Sequence, residues 1–451
     1  MSSANHDTIF ALSSASGKSA VAVVRISGPR ALAILGAMAG ERLLPRHASL
    51  RLIRHPRTRE TLDQAIVLAF PAPNSATGED LAELHLHGGR AVLQAVFAAL
   101  SEQAGCRPAE PGEFARRGFD NGKLDLTAVE GIADLIDAET EGQRRQALRQ
   151  ADGQLARLYD GWRARIISMQ ALVEAAIDFS DEADVAEDAL YRAKVAAREL
   201  TEELERHLAD ARRGEIIRSG FRVVIAGPPN AGKSTLLNAL SRRDAAIVSP
   251  EAGTTRDIIE VTLDLDGLAV LLSDTAGFRE THSMVEREGI RRAVERARTA
   301  DLIVWMDSVD EPTPPPPELE GELDTPLLLI TNKADLSGGE SLVPAGKTEQ
   351  QKLRVAVARG VGVDAVMEAI LSHARVAAGT TDHVVPTTAR HQHHLKNARH
   401  NLATFLAGRS DLPELAAEDL RLAARAIGAL TGRVDVEDVL DQIFSRFCIG
   451  K

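Results

Sequence analysis

The chain has 451 residues, 44% apolar but only 3% aromatic, so it can build several cores, chiefly from Ala, Leu, Val and Ile. Its net charge of −12 argues against a protein that wraps nucleic-acid backbone tightly by itself, and two cysteines exclude a disulfide framework. No run of eighteen apolar residues is present, which excludes an ordinary membrane-spanning helix. The opening Met1-Ser-Ser-Ala-Asn-His-Asp7 lacks the form of a signal peptide, and with only Cys106 and Cys448 the expected compartment is a reducing cytoplasm.

In chain order, residues 1–118 mix short apolar runs with turn signals. The runs are Ala20-Val-Ala-Val-Val24 and Ala65-Ile-Val-Leu-Ala-Phe70; the turns fall at Gly28-Pro29, Pro71-Ala-Pro-Asn74 and Gly88-Gly89, before a helical stretch at 90–104. This predicts a small α+β domain. His85 and His87 alternate along one strand without an evident third ligand, so they read as a structural pair rather than a metal site. Residues 119–215 carry Leu, Ala and Ile at three- and four-residue spacing and predict long amphipathic helices. Residues 216–378 predict a six-strand α/β unit, in which Pro312–Pro317 is a surface loop. Residues 379–451 read as helical again but are marginal as an independent core. The economical arrangement packs them on the helices of 119–215 and makes the α/β unit an insertion. His391, His393 and His394 have only partial ligand spacing, and Cys448 reads as a buried apolar residue.

The ligand is named by Gly227-Pro-Pro-Asn-Ala-Gly232-Lys233-Ser234, directly after the apolar run Phe221–Ala226. A glycine-rich turn between strand and helix points N–H groups at a polyphosphate; Lys233 adds a cation and the Ser234 hydroxyl suits Mg²⁺. Leu268-Ala-Val-Leu-Leu-Ser273 ends at Asp274-Thr-Ala-Gly277, which suits an acid near Mg²⁺ and an N–H facing a γ-phosphate. Leu327-Leu-Leu-Ile330 leads to Asn332-Lys333-Ala334-Asp335. A carboxylate there accepts from guanine N1–H and its 2-amino group, and adenine cannot donate both. Three such elements at strand ends specify GTP.

Phe278 stands where Ras-like proteins carry the water-orienting glutamine, so another group must act, and Glu280, Glu286 and Glu288 are the nearby acids. Asn230 either stiffens the phosphate loop or binds a monovalent cation. Between the phosphate-facing elements, Gly253-Thr254-Thr255-Arg256-Asp257 is a candidate switch, with Arg256 read as a surface charge. The basic stretches Arg287 to Arg298 and Arg390 to His400 read as solvated helix faces.

As a set these residues resemble the MnmE (TrmE) family of tRNA-modification GTPases. The resemblance rests on Asp7-Thr-Ile9, Val24-Arg-Ile-Ser-Gly28, Thr77-Gly-Glu-Asp80, His87-Gly-Gly89, Pro111-Gly-Glu-Phe114, Lys123-Leu-Asp-Leu126, the GTPase motifs and the tail Phe447-Cys-Ile-Gly-Lys451. It implies a multidomain fold: an α+β N-terminal domain at 1–118 that dimerises and binds a folate, and a helical domain at 119–215 and 379–451 carrying an inserted Ras-like α/β P-loop GTPase domain at 216–378. It also implies K⁺ and Mg²⁺, a tetrahydrofolate derivative (5-formyl or 5,10-methylene), and a heterotetramer with a FAD-dependent partner (MnmG, also called GidA). The implied activity adds an aminomethyl or carboxymethylaminomethyl group to C5 of the wobble uridine (U34) in certain tRNAs.

Carried over residue by residue, folate would meet Arg25, Glu83, Lys123 and Lys451. GTP would meet Asn230, Ala231, Gly232, Lys233, Ser234 and Thr235; Ser249, Pro250, Glu251, Ala252, Gly253, Thr254 and Thr255; Asp274, Thr275, Ala276 and Gly277; and Asn332, Lys333, Asp335 and Ala358. Mg²⁺ would take Ser234 and Thr255. K⁺ would take Asn230, Ser249, Glu251 and Thr254. The water-orienting acid falls on Glu286. One departure stands out: Val357-Ala358 replaces the family's usual Ser-Ala, in a segment one residue shorter. The alternative reading is a ribosome-assembly GTPase acting as an RNA-binding switch, although no basic RNA-binding module follows residue 378.

Overall fold

The computed structural model describes residues 7–179, 183–243, 245–247, 260–274, 298–320, 325–336, 352–379, 384–408, 413–434, 440, 443–445, 447 and 449–450. Contacts divide the chain into two units: Met1–Ala133 with Gln150–Ala171 and Leu420–Lys451, and Asp134–Arg149 with Leu172–Asp419.

The N-terminal part contains β1 (Thr8–Leu12), β2 (Ser19–Ser27), α1 (Ala31–Ala39), β3 (Ser49–Arg54), β4 (Thr61–Phe70), β5 (Leu81–Gly88), α2 (Arg90–Ser101), β6 (Cys106–Pro108) and α3 (Glu113–Asp120). Its six strands lie in the order β3-β4-β5-β2-β1-β6. All neighbours are antiparallel except β1 and β6. Alternation explains the layering: in β5, Leu84 and Leu86 are buried while Glu83, His85 and His87 share the opposite face. The buried residues pack with Ile34, Leu35 and Met38 of α1 and Val96 and Leu100 of α2.

Helices follow: α4 (Leu126–Ile136), α5 (Glu141–Ala151), α6 (Gln154–Asp178), α7 (Ala183–Ala209) and α8 (Ala211–Ser219). In α6, Tyr159, Trp162, Ile166, Met169, Val173 and Ala176 are buried at alternating three- and four-residue spacing, as an amphipathic helix requires. In the same unit as α4, the C-terminal tail packs Leu440, Phe444 and Phe447 on Ala115, Leu126 and Val129. Ile449 bridges Pro111, and Ser13 Oγ donates to Gly450 O at 2.9 Å.

The second unit holds a sheet of seven strands rather than six. Its elements are β7 (Phe221–Ala226), α9 (Lys233–Ser241), β8 (Ala246–Ile247), β9 (Glu260–Leu265), β10 (Leu268–Asp274), β11 (Leu302–Ser308), α10 (Pro317–Glu320), β12 (Leu327–Asn332), β13 (Lys352–Arg354) and α11 (Val363–Ala378). The order is β13-β12-β11-β7-β10-β9-β8. The added strand is β8, whose two residues pair with β9 and are too few to show a period. The central strands β7 and β11 are buried almost throughout, as parallel strands covered on both faces must be. The proline-rich segment lies between β11 and α10, held by Trp305 Nε1 donating to Thr313 O at 3.0 Å.

The ends of this α/β unit meet. Entry helix α8 packs against exit helix α11, and Gly214 of α8 approaches Pro386 so closely that a Cβ would lie 2.4 Å from its carbonyl oxygen. There is also a contact not made at either end: Gly142 N, in α5, donates to Gly267 O in the β9–β10 turn at 2.9 Å. Arg375 of α11 pairs with Asp266 in that turn at 2.8 Å.

Two helices complete the chain, α12 (Ala389–Leu406) and α13 (Pro413–Thr431). α12 packs along α7, joining buried Leu395, Ala398 and Leu402 to a helix whose buried stripe is Ala189, Ala193, Ala197, Leu200 and Leu204. Among the described residues no helix is long and apolar enough to cross a membrane.

His207 of α7 is lowered to about 4, first by burial and then by the neighbouring His391 of α12, which outweigh the pull of Asp210. A depressed histidine stabilises the fold fully above its unfolded value, and this contribution is lost as pH falls through the folded one. Urea titrations should show stability falling by about 2–3 kcal/mol between about pH 6.5 and 4 from this group. A His207→Phe variant should show a correspondingly flatter acid limb. An unchanged limb would place the acid sensitivity elsewhere.

Candidate functional site

β7 delivers the chain to the carboxyl ends of the parallel strands, where left-handed positions follow at Gly227 (φ 147°), Asn230 (φ 60°) and Gly232 (φ 101°). Such a sequence of turns aims backbone N–H groups into one concavity and makes an anion site. The two glycines are required sterically. A Cβ on Gly227 would lie 2.0 Å from Met306 O, and one on Gly232 would lie 2.3 Å from Asn332 Nδ2. α9 begins at Lys233, so its first N–H groups face the same point. Lys233 is largely buried; its Nζ donates to Gly227 O at 2.9 Å and Pro228 O at 2.7 Å, which holds the ammonium over the loop. Ser234 and Thr235 follow, exposed, on the first turn. β10 brings the backbone of Asp274 to the same end of the sheet, in register with Ile225.

The loops that carry Asn332–Asp335 and Val357–Arg359 are tied to this cradle through one residue. Asn332 is buried, donates from Nδ2 to Ala231 O at 2.8 Å, and accepts at Oδ1 from Val357 N at 3.1 Å. It therefore links the phosphate loop to the short helical turn Val357–Arg359, which contains Ala358. Lys333 adopts φ 57° and pairs with Asp310 at 2.9 Å. That hydrogen bond, aided by Ser308, holds the Asp310 carboxyl below the usual carboxylate range. Asp335 is held by Arg359 Nε at 3.0 Å. Met306, Asp310 and Arg359 were not singled out from the sequence. Only Arg359, next to Ala358, carried a local signal.

In the N-terminal part, Arg25 and Glu83 are cross-strand partners joined by Nη2–Oε1 at 2.9 Å, and the guanidinium lies 5.8 Å from the centre of the Phe114 ring. Lys123 is anchored by its amide on Gly118 O at 2.8 Å, and its side chain lies against Gly78 of the Thr77–Asp80 turn. Phe114 is the addition here, an apolar surface beside the Arg25 cation.

Ser249, Pro250, Glu251, Ala252, Gly253, Thr254, Thr255, Arg256, Thr275, Ala276, Gly277, Phe278, Glu280, Glu286, Glu288, Cys448 and Lys451 lie outside the described residues, as does the side chain of Asp274. The described oxygen donors, the exposed Asn230 and Ser234, are of the hard kind that suits Mg²⁺ and K⁺. Among the described residues no group of three or more His, Cys, Asp and Glu is placed to hold a metal ion. His85 pairs with Glu83 at 3.3 Å and His87 with Asp63 at 2.7 Å, while His391 is buried and His393 meets Asn397 at 3.0 Å.

Residues 8–123 match the family model described as GTP-binding protein TrmE N-terminus, and residues 126–448 match that described as MnmE helical domain. A tRNA modification GTPase MnmE from Bradyrhizobium sp. (strain ORS 278) is 50% identical over 447 residues, covering 99% of each chain. Another from Methylorubrum populi is 52% identical over 449 residues, covering 99% of this chain and 98% of the relative. The chain belongs to the MnmE family of tRNA modification GTPases. Its MnmE fold combines the TrmE-type N-terminal domain, the MnmE helical domain and a P-loop α/β domain. Membership decides between the two functional readings in favour of tRNA modification over ribosome assembly.

Proposed function

We propose that this MnmE-family protein is a potassium-activated GTPase that works with a FAD-dependent partner of the MnmG (GidA) type on U34 of certain tRNAs. The product is an aminomethyl or carboxymethylaminomethyl group at C5, its carbon drawn from a tetrahydrofolate derivative. The observation that carries the GTPase part is the cradle itself: left-handed turns at 227, 230 and 232 with Lys233 across them, tied by Asn332 to the base-facing loop. The backbone N–H groups and Lys233 bind the triphosphate, and Asp335 reads guanine. Mg²⁺ would be held by Ser234 and Thr255, and K⁺ by Asn230 with Ser249, Glu251 and Thr254. Bound cations supply fixed positive charge against the charge that develops on the phosphates. Glu286 would orient the attacking water in place of the glutamine that Phe278 displaces.

Arg25, Glu83, Lys123 and Lys451 would hold the folate by charge, and the Phe114 ring beside Arg25 offers it an apolar surface. The working assembly in this reading is a cytoplasmic homodimer through the N-terminal domains, extended to a heterotetramer by the partner. GTP turnover should be at least about tenfold faster in K⁺ than in Na⁺, a fraction of the effect of a supplied arginine finger. Glu286→Ala should lower turnover while leaving GTP affinity nearly unchanged. Equal rates in the two salts would sink the potassium mechanism. Nucleoside analysis of tRNA from cells lacking the protein tests the wider function, and unchanged wobble uridines would reject it.

A further inference from the structure

Although the chain is acidic, residues 42–59 contain six arginines and no acidic residue. They surround β3, the edge strand of the N-terminal sheet. Arg42, Arg46, Arg57 and Arg59 are exposed, and Arg51 and Arg54 are half-buried. Three of them spend their hydrogen bonds on neutral acceptors: Arg46 donates to Asn74 O, Arg51 to Arg42 O at 3.1 Å and Arg59 to Ala37 O at 3.1 Å. Those contacts fix the guanidinium groups without cancelling their charge. Arg57 is the exception, paired with Glu102 at 3.1 Å.

A second observation concerns the backbone. Arg46 and Arg59 adopt φ 59° and 63°, the left-handed region that an L side chain enters at a cost and glycine enters freely. Charges on an edge strand also discourage strand pairing. That explanation covers Arg51 and Arg54 but not two arginines placed in strained turns outside the strand.

We propose that β3 and its flanking turns form a docking surface for the phosphate backbone of tRNA. Guanidinium groups held rigidly at an exposed edge match phosphate oxygens in geometry as well as charge. The general negative charge of the chain would confine RNA to this patch. The proposal rests on the tRNA reading given above and adds the place where the substrate is held.

The test is fluorescence anisotropy of labelled tRNA against the full-length protein over a range of KCl concentrations. Arg42→Gln/Arg54→Gln and Arg46→Gly/Arg59→Gly should each weaken binding about tenfold at moderate salt. Each should also reduce the slope of log K against log salt by about 1.4–1.8, the value for two lost phosphate contacts. The glycine pair suits its backbone, so lost binding there is not lost folding. Arg42→Lys/Arg54→Lys should keep most of the slope, and GTP hydrolysis should match wild type in all three. The proposal is overturned if wild type does not bind tRNA, if the variants bind it as wild type does, or if they lose only binding to phosphatidylglycerol vesicles. Wobble-uridine analysis judges the tRNA reading separately: a variant that binds tRNA normally while the knockout loses the modification removes the surface and leaves the function.

Discussion

An Asn332→Ala variant should bind guanine nucleotides at least about 30-fold more weakly than wild type, the expected cost of stranding two buried polar groups. The buried Asn332 side chain is the shared partner of Ala231 O and Val357 N. Alanine fills neither role, and each orphaned group costs about 1–3 kcal/mol. The loss should fall on ligand binding because the two groups belong to the phosphate loop and to the turn it is tied to through Asn332. Gly232 packs against the same amide and, having no side chain, cannot fill the space that Asn332 vacates. Titration with a fluorescent GDP analogue measures the effect, with circular dichroism as the folding control. Affinity within about threefold of wild type would mean that the loops are held in register by other contacts.

The second large effect lies in the N-terminal part. Arg117, 3% exposed, donates to Asp7 O at 2.9 Å, Glu79 Oε2 at 3.1 Å and Glu113 Oε1 at 3.0 Å. Glu113 is held also by Arg107 at 2.7 Å, and Glu79 by Ser27 Oγ at 2.9 Å. Removing the central cation leaves Glu79 with the Ser27 hydroxyl and no cation and Glu113 with Arg107 alone, so Arg117→Met should destabilise this part of the protein by about 3–5 kcal/mol. Nucleotide affinity should not change.

The same cluster sets a pH dependence. Burial by itself would raise the Glu113 carboxyl, but hydrogen bonds from Arg107, the Glu110 amide and Arg117 outweigh it and hold it below its usual value of 4.5. Its contribution is therefore present above that value and lost as pH falls through the lower folded one. In the Arg117→Met variant acid unfolding should begin at higher pH. Denaturant melts at several pH values decide this, and coincident curves would show that Arg107 alone holds the carboxylate.

The phosphate loop and the Asn332–Asp335 tetrad were legible in the sequence because their chemistry is carried by neighbouring residues, and the strands before them are continuous apolar runs. The helices were legible because buried residues such as Tyr159, Trp162, Ile166 and Met169 keep one period. What escaped was set by distance or brevity. Arg117 meets Asp7 across most of the N-terminal part, and Met306 backs the phosphate loop from a strand far along the chain. β8 has two residues, too few for a period. The arginines of 42–59 are interrupted by Leu43, Leu44, Leu50, Leu52 and Ile53, which hides the charge in a strand-like pattern.

The hydrogen bond from Gly142 to Gly267 has a practical consequence. A body hung only from its two ends can swivel about the line that joins them. Here the turn between β9 and β10 gives a third hold, at a point remote in sequence from either end. A G domain excised at residues 216 and 378 leaves its α5 counterpart behind and is a looser object than the same residues in the whole chain. Turnover measured on such a fragment would report a machine with one of its mountings unbolted.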